Sequence, residues 1–197
     1  MCRTVEIAIE KSINALVQRD DTLAAEVIKE DKNIDNLEHE IEGDCLKILL
    51  MEHPVASDFR EVSATLKMIT DLERIADQAA DICEIVFQFG NEKFIKEPHR
   101  IKEMAKFAVC MVKDSVLSLI NRDLELARSL DKRDDRVDDL FKEIKSDLVN
   151  LIQKDGNNAD QAILFMMIAK YIERIADHAV NIGEWVEYSL TGYHKIG

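Results

Sequence analysis

Asp71–Glu84 reads DLERIADQAADICE, and Tyr171–Glu184 reads YIERIADHAVNIGE. The pentapeptide ERIAD recurs 100 residues further on, and Ala79/Ala179, Ile82/Ile182 and Glu84/Glu184 are kept with it. The match extends well beyond five identical residues and marks an internal duplication. Each copy carries two acids four residues apart, Glu73/Asp77 and Glu173/Asp177. On a helix, acids at that spacing share one face.

Working outward, apolar residues recur at three- and four-residue spacing along most of the 197 residues. The chain has 6 Gly and 2 Pro, few punctuators for its length, which favours long helices. The first predicted helix runs from Arg3 to Arg19, with a stripe of Val5, Ile9, Ile13, Leu16 and Val17. Asp20-Asp21 interrupts it and can cap a second helix over 21–51, whose stripe runs Leu23, Val27, Ile34, Leu37, Ile41, Cys45, Ile48. His53-Pro54 breaks the chain, because proline disfavours helix in the residue before it. The third helix spans 55–89, with Val55, Phe59, Val62, Leu66, Ile69, Leu72, Ala76, Ala79 and Val86 expected on its apolar face. Gly90-Asn91 ends it.

The second half repeats the plan. Helices are predicted over Ile101–Ile120, Leu124–Lys154 and Ala159–Leu190, with Asp155-Gly156-Asn157-Asn158 as the clearest turn. The second helices also match, Ile34-Asp35-Asn36-Leu37 against Val137-Asp138-Asp139-Leu140. The expected fold is all-α: two tandem three-helix bundles related by duplication, over 1–90 and 98–190, joined by a linker at 91–97. Long helices with short connections pack as antiparallel hairpins.

The same acid spacing occurs on each long helix, at Asp31/Asp35, Glu73/Asp77, Asp134/Asp138 and Glu173/Asp177. Fold the first hairpin about His53. Asp35 and Asp31 then lie 18 and 22 residues before the turn, and Glu73 and Asp77 lie 20 and 24 after it. Fold the second about Asn157. Asp138 and Asp134 lie 19 and 23 before it, and Glu173 and Asp177 lie 16 and 20 after it. At about 1.5 Å per residue the two pairs of each half stand level. If their faces turn the same way, each half gathers four carboxylates. Asp81 and Glu84 extend the first patch, and Asn181 and Glu184 take the matching places in the second. Arg74 can reach Asp77 and Arg174 can reach Asp177. Glu73, Glu173, Asp31 and Asp134 are expected to stand without a basic partner on their own helix.

Crowded carboxylates are unfavourable unless a cation neutralises them or some take up protons. All-oxygen ligation favours hard cations such as magnesium, manganese, calcium or ferric iron, with zinc less favoured for want of His or Cys. A solvated acidic face that meets a basic partner is the alternative. No His has a Glu three residues before it, which argues against a ferritin-like di-iron site. No HExxH, P-loop or GxSxG motif is present. His178 reads as a polar helix position or an edge ligand, and Phe165-Met166-Met167 as core. Trp185 and Tyr188 read as packing.

Charge narrows the classes further. The formal net charge is −13, from 39 acids and 26 bases, which argues against nucleic acid and against anionic lipid. The four cysteines are scattered and read as reduced, mostly core thiols of a cytosolic protein. The start, MCRTVEIAIEK, does not read as a signal peptide. The longest apolar run, AILFMMIA at 162–169, falls far short of the ~18 residues a membrane span needs.

HPVASDFREVSATLKMITDLERIADQAADI, residues 53–82, resembles the hallmark segment of the PhoU family of phosphate-uptake regulators. YIERIADHAVNIGE resembles its second repeat, and VIKEDKNIDNLEHEIE, residues 27–42, extends the likeness. The resemblance implies a fold of two three-helix bundles and multinuclear metal sites on E/D-x-x-x-D motifs. Glu73/Asp77 and Glu173/Asp177 match those motifs strongly, and Asp31/Asp35 and Asp134/Asp138 more loosely. With Asp81 they form the expected metal-ligand set, for iron, manganese, magnesium or zinc. The resemblance further implies a cytosolic, non-enzymatic, commonly dimeric negative regulator of phosphate uptake and phosphate-starvation signalling. Its expected partners are a phosphate importer ATPase and a phosphate-sensing histidine kinase. Two features depart from the family. The first helix is short, which implies altered dimer contacts, and Asn181 in the place of Asp81 implies fewer charges in the second site.

Overall fold

The computed structural model describes residues 1–52, 54–90 and 93–193. Six long helices carry the fold: α1 Cys2–Gln18, α2 Asp21–Met51, α3 Ala56–Gln88, α4 His99–Asn121, α5 Leu124–Lys154 and α6 Ala159–Thr191. One 3-10 turn, Gly156–Asn158, leads into α6. The predicted bounds of α2 and α5 agree with these, as does the start of α6, and the other ends differ by one or two residues. His53, the expected fold point of the first hairpin, lies outside the described residues, as do Asn91 and His194.

The duplication is visible in the caps. Arg19 and Arg122 end α1 and α4 in the left-handed region, at φ 55° and 53°. Asp20 N donates to Ala15 O at 3.0 Å, and Asp123 N donates to Ser118 O at 2.8 Å, closing the orphan carbonyls of each helix end. The same two aspartates then start the next helix. Asp20 Oδ1 accepts from Leu23 N and Asp123 Oδ1 from Leu126 N, both at 2.9 Å. Ser12 and Ser115 repeat as well: each is buried and returns its hydroxyl to the carbonyl three residues back.

α1–α3 form one bundle and α4–α6 the other. The two bundles meet along α3 and α6, the largest helix contact in the molecule, with α1 against α4 beside it. α3 and α6 run antiparallel, since Asp71 reaches His178 and Asn181 while Asp81 reaches Tyr171. α2 and α5 flank the outside. One continuous apolar core runs from Val5 through Ile75 and Ile175 to Val186. Among the described residues no helix is long and apolar enough to cross a membrane.

Three expectations about packing need correction. Cys45 and Cys83 are core thiols, and burial pushes Cys83 up to about 12, but Cys110 is exposed. Phe165 is buried and Met166 packs on the core, whereas Met167 is 40% exposed. Val55 and Phe59 lie on the predicted apolar face of α3 yet are 66% and 51% exposed. There α3 runs past the end of the core that the described residues form, so its apolar period continues on exposed helix.

Candidate metal centre

The first patch lies between α2 and α3. Asp31 and Asp35 come from α2, Glu73, Asp77 and Asp81 from α3, and all five are half-buried. They face one another closely enough to act on each other's protons. Burial, then Asp77, Asp35 and Asp81, push Asp31 up to about 6. Asp77 is raised by burial and by Asp35, with Arg74 opposing. Glu73 is raised by burial, by Asp77 and by Glu38. Glu38 is a sixth acid, outside the pairs singled out in the sequence. It lies two helical turns below Asp31, and Thr70 Oγ1 donates to its Oε1 at 3.1 Å.

The second patch lies between α5 and α6. Asp134 is pushed up to about 6 by burial, then by Asp177, Asp138, Glu173 and Asp135. Asp177 sits at the exposed rim, and it too is raised, by burial of its carboxylate first and Glu173 next. One carboxylate oxygen, Asp134 Oδ1, is fully buried and has no hydrogen-bond partner. Glu173 does have a basic neighbour, contrary to expectation. Lys170, one turn earlier, pairs with it. Lys170 stands where the first repeat has Thr70, and its ammonium lies 5.7 Å from the ring of Phe141, which stands where the first repeat has Glu38. A threonine–glutamate pair in one patch is thus replaced by a lysine–aromatic pair in the other.

The helices therefore bring together Asp31, Asp35, Glu73, Asp77 and Asp81 in one half, and Asp134, Asp138, Glu173 and Asp177 in the other. Comparison with known proteins gives this arrangement its setting. The family model described as PhoU domain matches residues 1–86 and again residues 101–186. The chain belongs to the PhoU family. A Clostridium acetobutylicum relative named phosphate-specific transport system accessory protein PhoU homolog is 36% identical over 188 residues, 95% of this chain and 86% of its own. An Aquifex aeolicus protein of the same name is 36% identical over 174 residues, 88% of this chain and 79% of its own. The crystal structure of PhoU from Pseudomonas aeruginosa matches at TM-score 0.93 and 29% identity, over 98% of this chain and 93% of that one.

In this PhoU-family chain the duplicated motifs also build the seam between repeats. His178 turns toward the seam. Its Nδ1 lies 2.8 Å from Asp71 Oδ1, and Asn181 Nδ2 donates to the same oxygen at 3.3 Å. Asp81 reaches the other way, bonded to Tyr171 and close to Arg174. Arg174 thus acts on Asp81 across the seam, where Asp177 on its own helix was the expected partner. Spacing along one helix has no access to such contacts.

The PhoU resemblance implies metal, and the donor set suits it: oxygen only, anionic, and in Asp134 Oδ1 a buried acceptor with nothing to accept from. As the side chains stand, no group of three or more His, Cys, Asp or Glu among the described residues has a geometry that could hold an ion. The acids surround two patches rather than two finished coordination shells, so binding an ion must draw their rotamers inward.

Proposed function

We propose that this chain is the accessory regulator of a phosphate-specific transport system, a cytosolic, dimeric and non-enzymatic adaptor that restrains phosphate uptake. The near-full-length match to accessory proteins of such systems carries the reading. Its partners are an importer ATPase and a phosphate-sensing histidine kinase, and its means of reporting is the loading of the two carboxylate patches. Asp31, Asp35, Glu73, Asp77 and Asp81 hold cations in the first patch, and Asp134, Asp138, Glu173 and Asp177 in the second. Bound polyvalent iron, manganese, magnesium or zinc supplies positive charge that turns each patch neutral or cationic. Glu73 and Glu173 fix the α3 and α6 sides of these surfaces, and Asp31 and Asp134 supply the carboxyls that burial and neighbouring acids raise furthest. A metal-independent acidic scaffold that meets a basic partner is the competing reading, favoured by the spread of the carboxylates.

Phosphate accumulation in cells separates the two. Cells lacking this chain should take up phosphate without restraint in rich medium, and the wild type should restore restraint. A metal-linked regulator predicts that Glu73→Ala/Asp77→Ala fails to restore it although the protein is present and folded. Full restoration by that variant would leave the acidic-scaffold reading.

The two patches should differ. Lys170 already brings one positive charge into the second, and an ion entering there must displace it from Glu173. Lys170→Thr, the residue of the first repeat, should tighten manganese(II) binding at the second patch by about tenfold, the equivalent of ~1.4 kcal/mol. Calorimetric titration of a chain whose first patch is disabled by Glu73→Ala/Asp77→Ala reads this directly.

A further inference from the structure

A groove runs between α2 and the end of α3. Ala25, Ile28, Lys29, Lys32 and Asn33 line it from α2 and Phe87 from α3, around a space of about 610 Å³. Ile28 packs against the core, and Phe87 is 43% exposed. Lys29 and Lys32 are exposed, and among the described residues neither has an ionic or hydrogen-bonded partner. The acids near them in sequence are engaged elsewhere. Glu26 and Glu30 meet Lys11 of α1 at 2.6 and 2.8 Å. Asp31 belongs to the first carboxylate patch, and Glu84, one turn before Phe87, acts on Asp81 there. The full charges that line the groove are thus two cations, in a chain of net charge −13.

The second repeat shows how the same place is bridged from within. α5 aligns with α2 at an offset of 103 residues, as their caps Asp20 and Asp123 do, and α6 aligns with α3 at 100. Arg128 therefore stands for Ala25, and Glu187 for Phe87. There the arginine reaches across, its Nε and Nη2 donating to Glu187 Oε1 at 3.0 and 2.7 Å. A cation and a carboxylate of the chain itself span the two helices. In the first repeat the cation is reduced to a methyl group, the carboxylate is replaced by a phenyl ring, and two lysines stand beside them. Asp131 and Asp135 hold the places of Ile28 and Lys32, so the basic and apolar lining belongs to the first repeat alone. The fold therefore does not require this lining: the duplicate helix pair is held with other side chains.

We propose that this groove docks a segment of a partner protein in which an aromatic or aliphatic side chain is flanked by Asp or Glu. The apolar side chain enters over Ala25 and lies against Phe87 and Ile28, and the acid meets Lys29 and Lys32. Charge complementarity selects this occupant. Most of the −13 chain repels an acidic segment, and the two lysines attract it, a contrast that orients a partner within the ~8 Å reach of charge at physiological salt. An ion pair at exposed lysines contributes little by itself, so the ring and Ile28 supply the apolar contact that holds the segment. The groove lies on the two helices that carry the first patch, with Phe87 six residues beyond Asp81, about 9 Å along α3. Cations in that patch remove a repulsion beside the docking site, which ties partner affinity to loading. The inference rests on the adaptor reading above, and it names where the adaptor receives its partner.

The test measures binding of the full chain, in buffer containing manganese(II), to the purified importer ATPase subunit and to the purified histidine kinase. Lys29→Gln/Lys32→Gln should weaken binding to at least one of them fivefold or more and flatten its salt dependence, while melting near the wild-type temperature, since both side chains are exposed. Lys132→Gln/Lys145→Gln removes the same charge from the second repeat and should bind as wild type. Ala25→Arg/Phe87→Glu builds the ion pair of the second repeat into the first, and by filling the groove should weaken the same binding at least tenfold. Wild-type affinity for both partners in either groove variant, folded by its circular dichroism, overturns the inference and leaves the adaptor reading standing. Failure of the wild type to bind either partner overturns the adaptor reading and the inference together. Two further results, each with partner binding unchanged, overturn the partner as occupant. Phosphatidylglycerol vesicles bound by the wild type and not by Lys29→Gln/Lys32→Gln assign the groove to a bilayer, and a dimer dissociated by Ala25→Arg/Phe87→Glu assigns it to a second copy.

Discussion

The metal-free Asp31→Asn/Asp134→Asn variant should be more stable than the wild type at pH 7, and the advantage should disappear by about pH 4. Burial and like charges push both carboxyls up to about 6 in the folded chain, against an ordinary 3.8. A raised carboxyl binds its proton more tightly folded than unfolded. Its contribution to stability is therefore fully present below pH 3.8 and is lost as the pH rises through about 6. At pH 7 the wild type holds both charges in crowded, half-buried places, and the isosteric amides do not. Screening at these sites reduces the difference to about 1–2 kcal/mol for the pair. For a chain of this size that is a rise of roughly 2–8 °C in melting temperature. Carboxylates away from the two patches titrate alike in both proteins, so the difference between the two melting curves isolates the patches. Adding metal should reverse the order. An ion bound only by the native state adds RT ln(1 + [L]/Kd), about 2.7 kcal/mol at a hundredfold excess over Kd, and the amide variant forgoes it.

The second large effect comes from packing. Gly183→Ala should destabilise the chain by about 1–3 kcal/mol, although alanine is the better helix former by ~1 kcal/mol. A Cβ at Gly183 would stand 2.7 Å from Leu130 Cδ1 and 3.0 Å from Ala127 O. Leu130 can swing away, but the Ala127 carbonyl is backbone, so α6 must move off α5. That motion opens the second patch, whose acids come from these two helices. Gly43 in α2 is the control. Nothing lies within 4 Å of its Cβ position, and Gly43→Ala should stabilise by about 0.5–1 kcal/mol. Urea denaturation of the two variants measures both signs. The first repeat has Cys83 in the place of Gly183, so the two halves do not pack their outer helices alike.

Much of this architecture can be read from the amino-acid order. Asp20 and Asp123 act as caps because a short carboxylate before an apolar period has little else to bond, and the α2 and α5 boundaries follow from them. The level placement of the acid pairs follows from helical rise and hairpin closure. What periodicity cannot say is what covers an apolar face. Val55 and Phe59 continue the stripe of α3 beyond the core and stay exposed, which no count along one helix distinguishes from burial. Partners on other elements are equally hidden. Asp71 with His178, Asp81 with Tyr171 and Arg174, and Glu38 with Thr70 all depend on where helices meet. Lys170 is a different case. It lies three residues before Glu173, within reach by helical spacing, and was legible without the structure.

Metal content tests the central claim, that the paired carboxylates of each repeat hold cations. Elemental analysis of the purified, unchelated chain should find iron, manganese or zinc in stoichiometric amounts. The first-patch variant Glu73→Ala/Asp77→Ala should lose part of it, and the second-patch variant Asp134→Ala/Asp177→Ala should lose the rest. A folded wild type that is metal-free and takes up none of these ions when they are offered would contradict the account, leaving the acidic faces as surface for a basic partner.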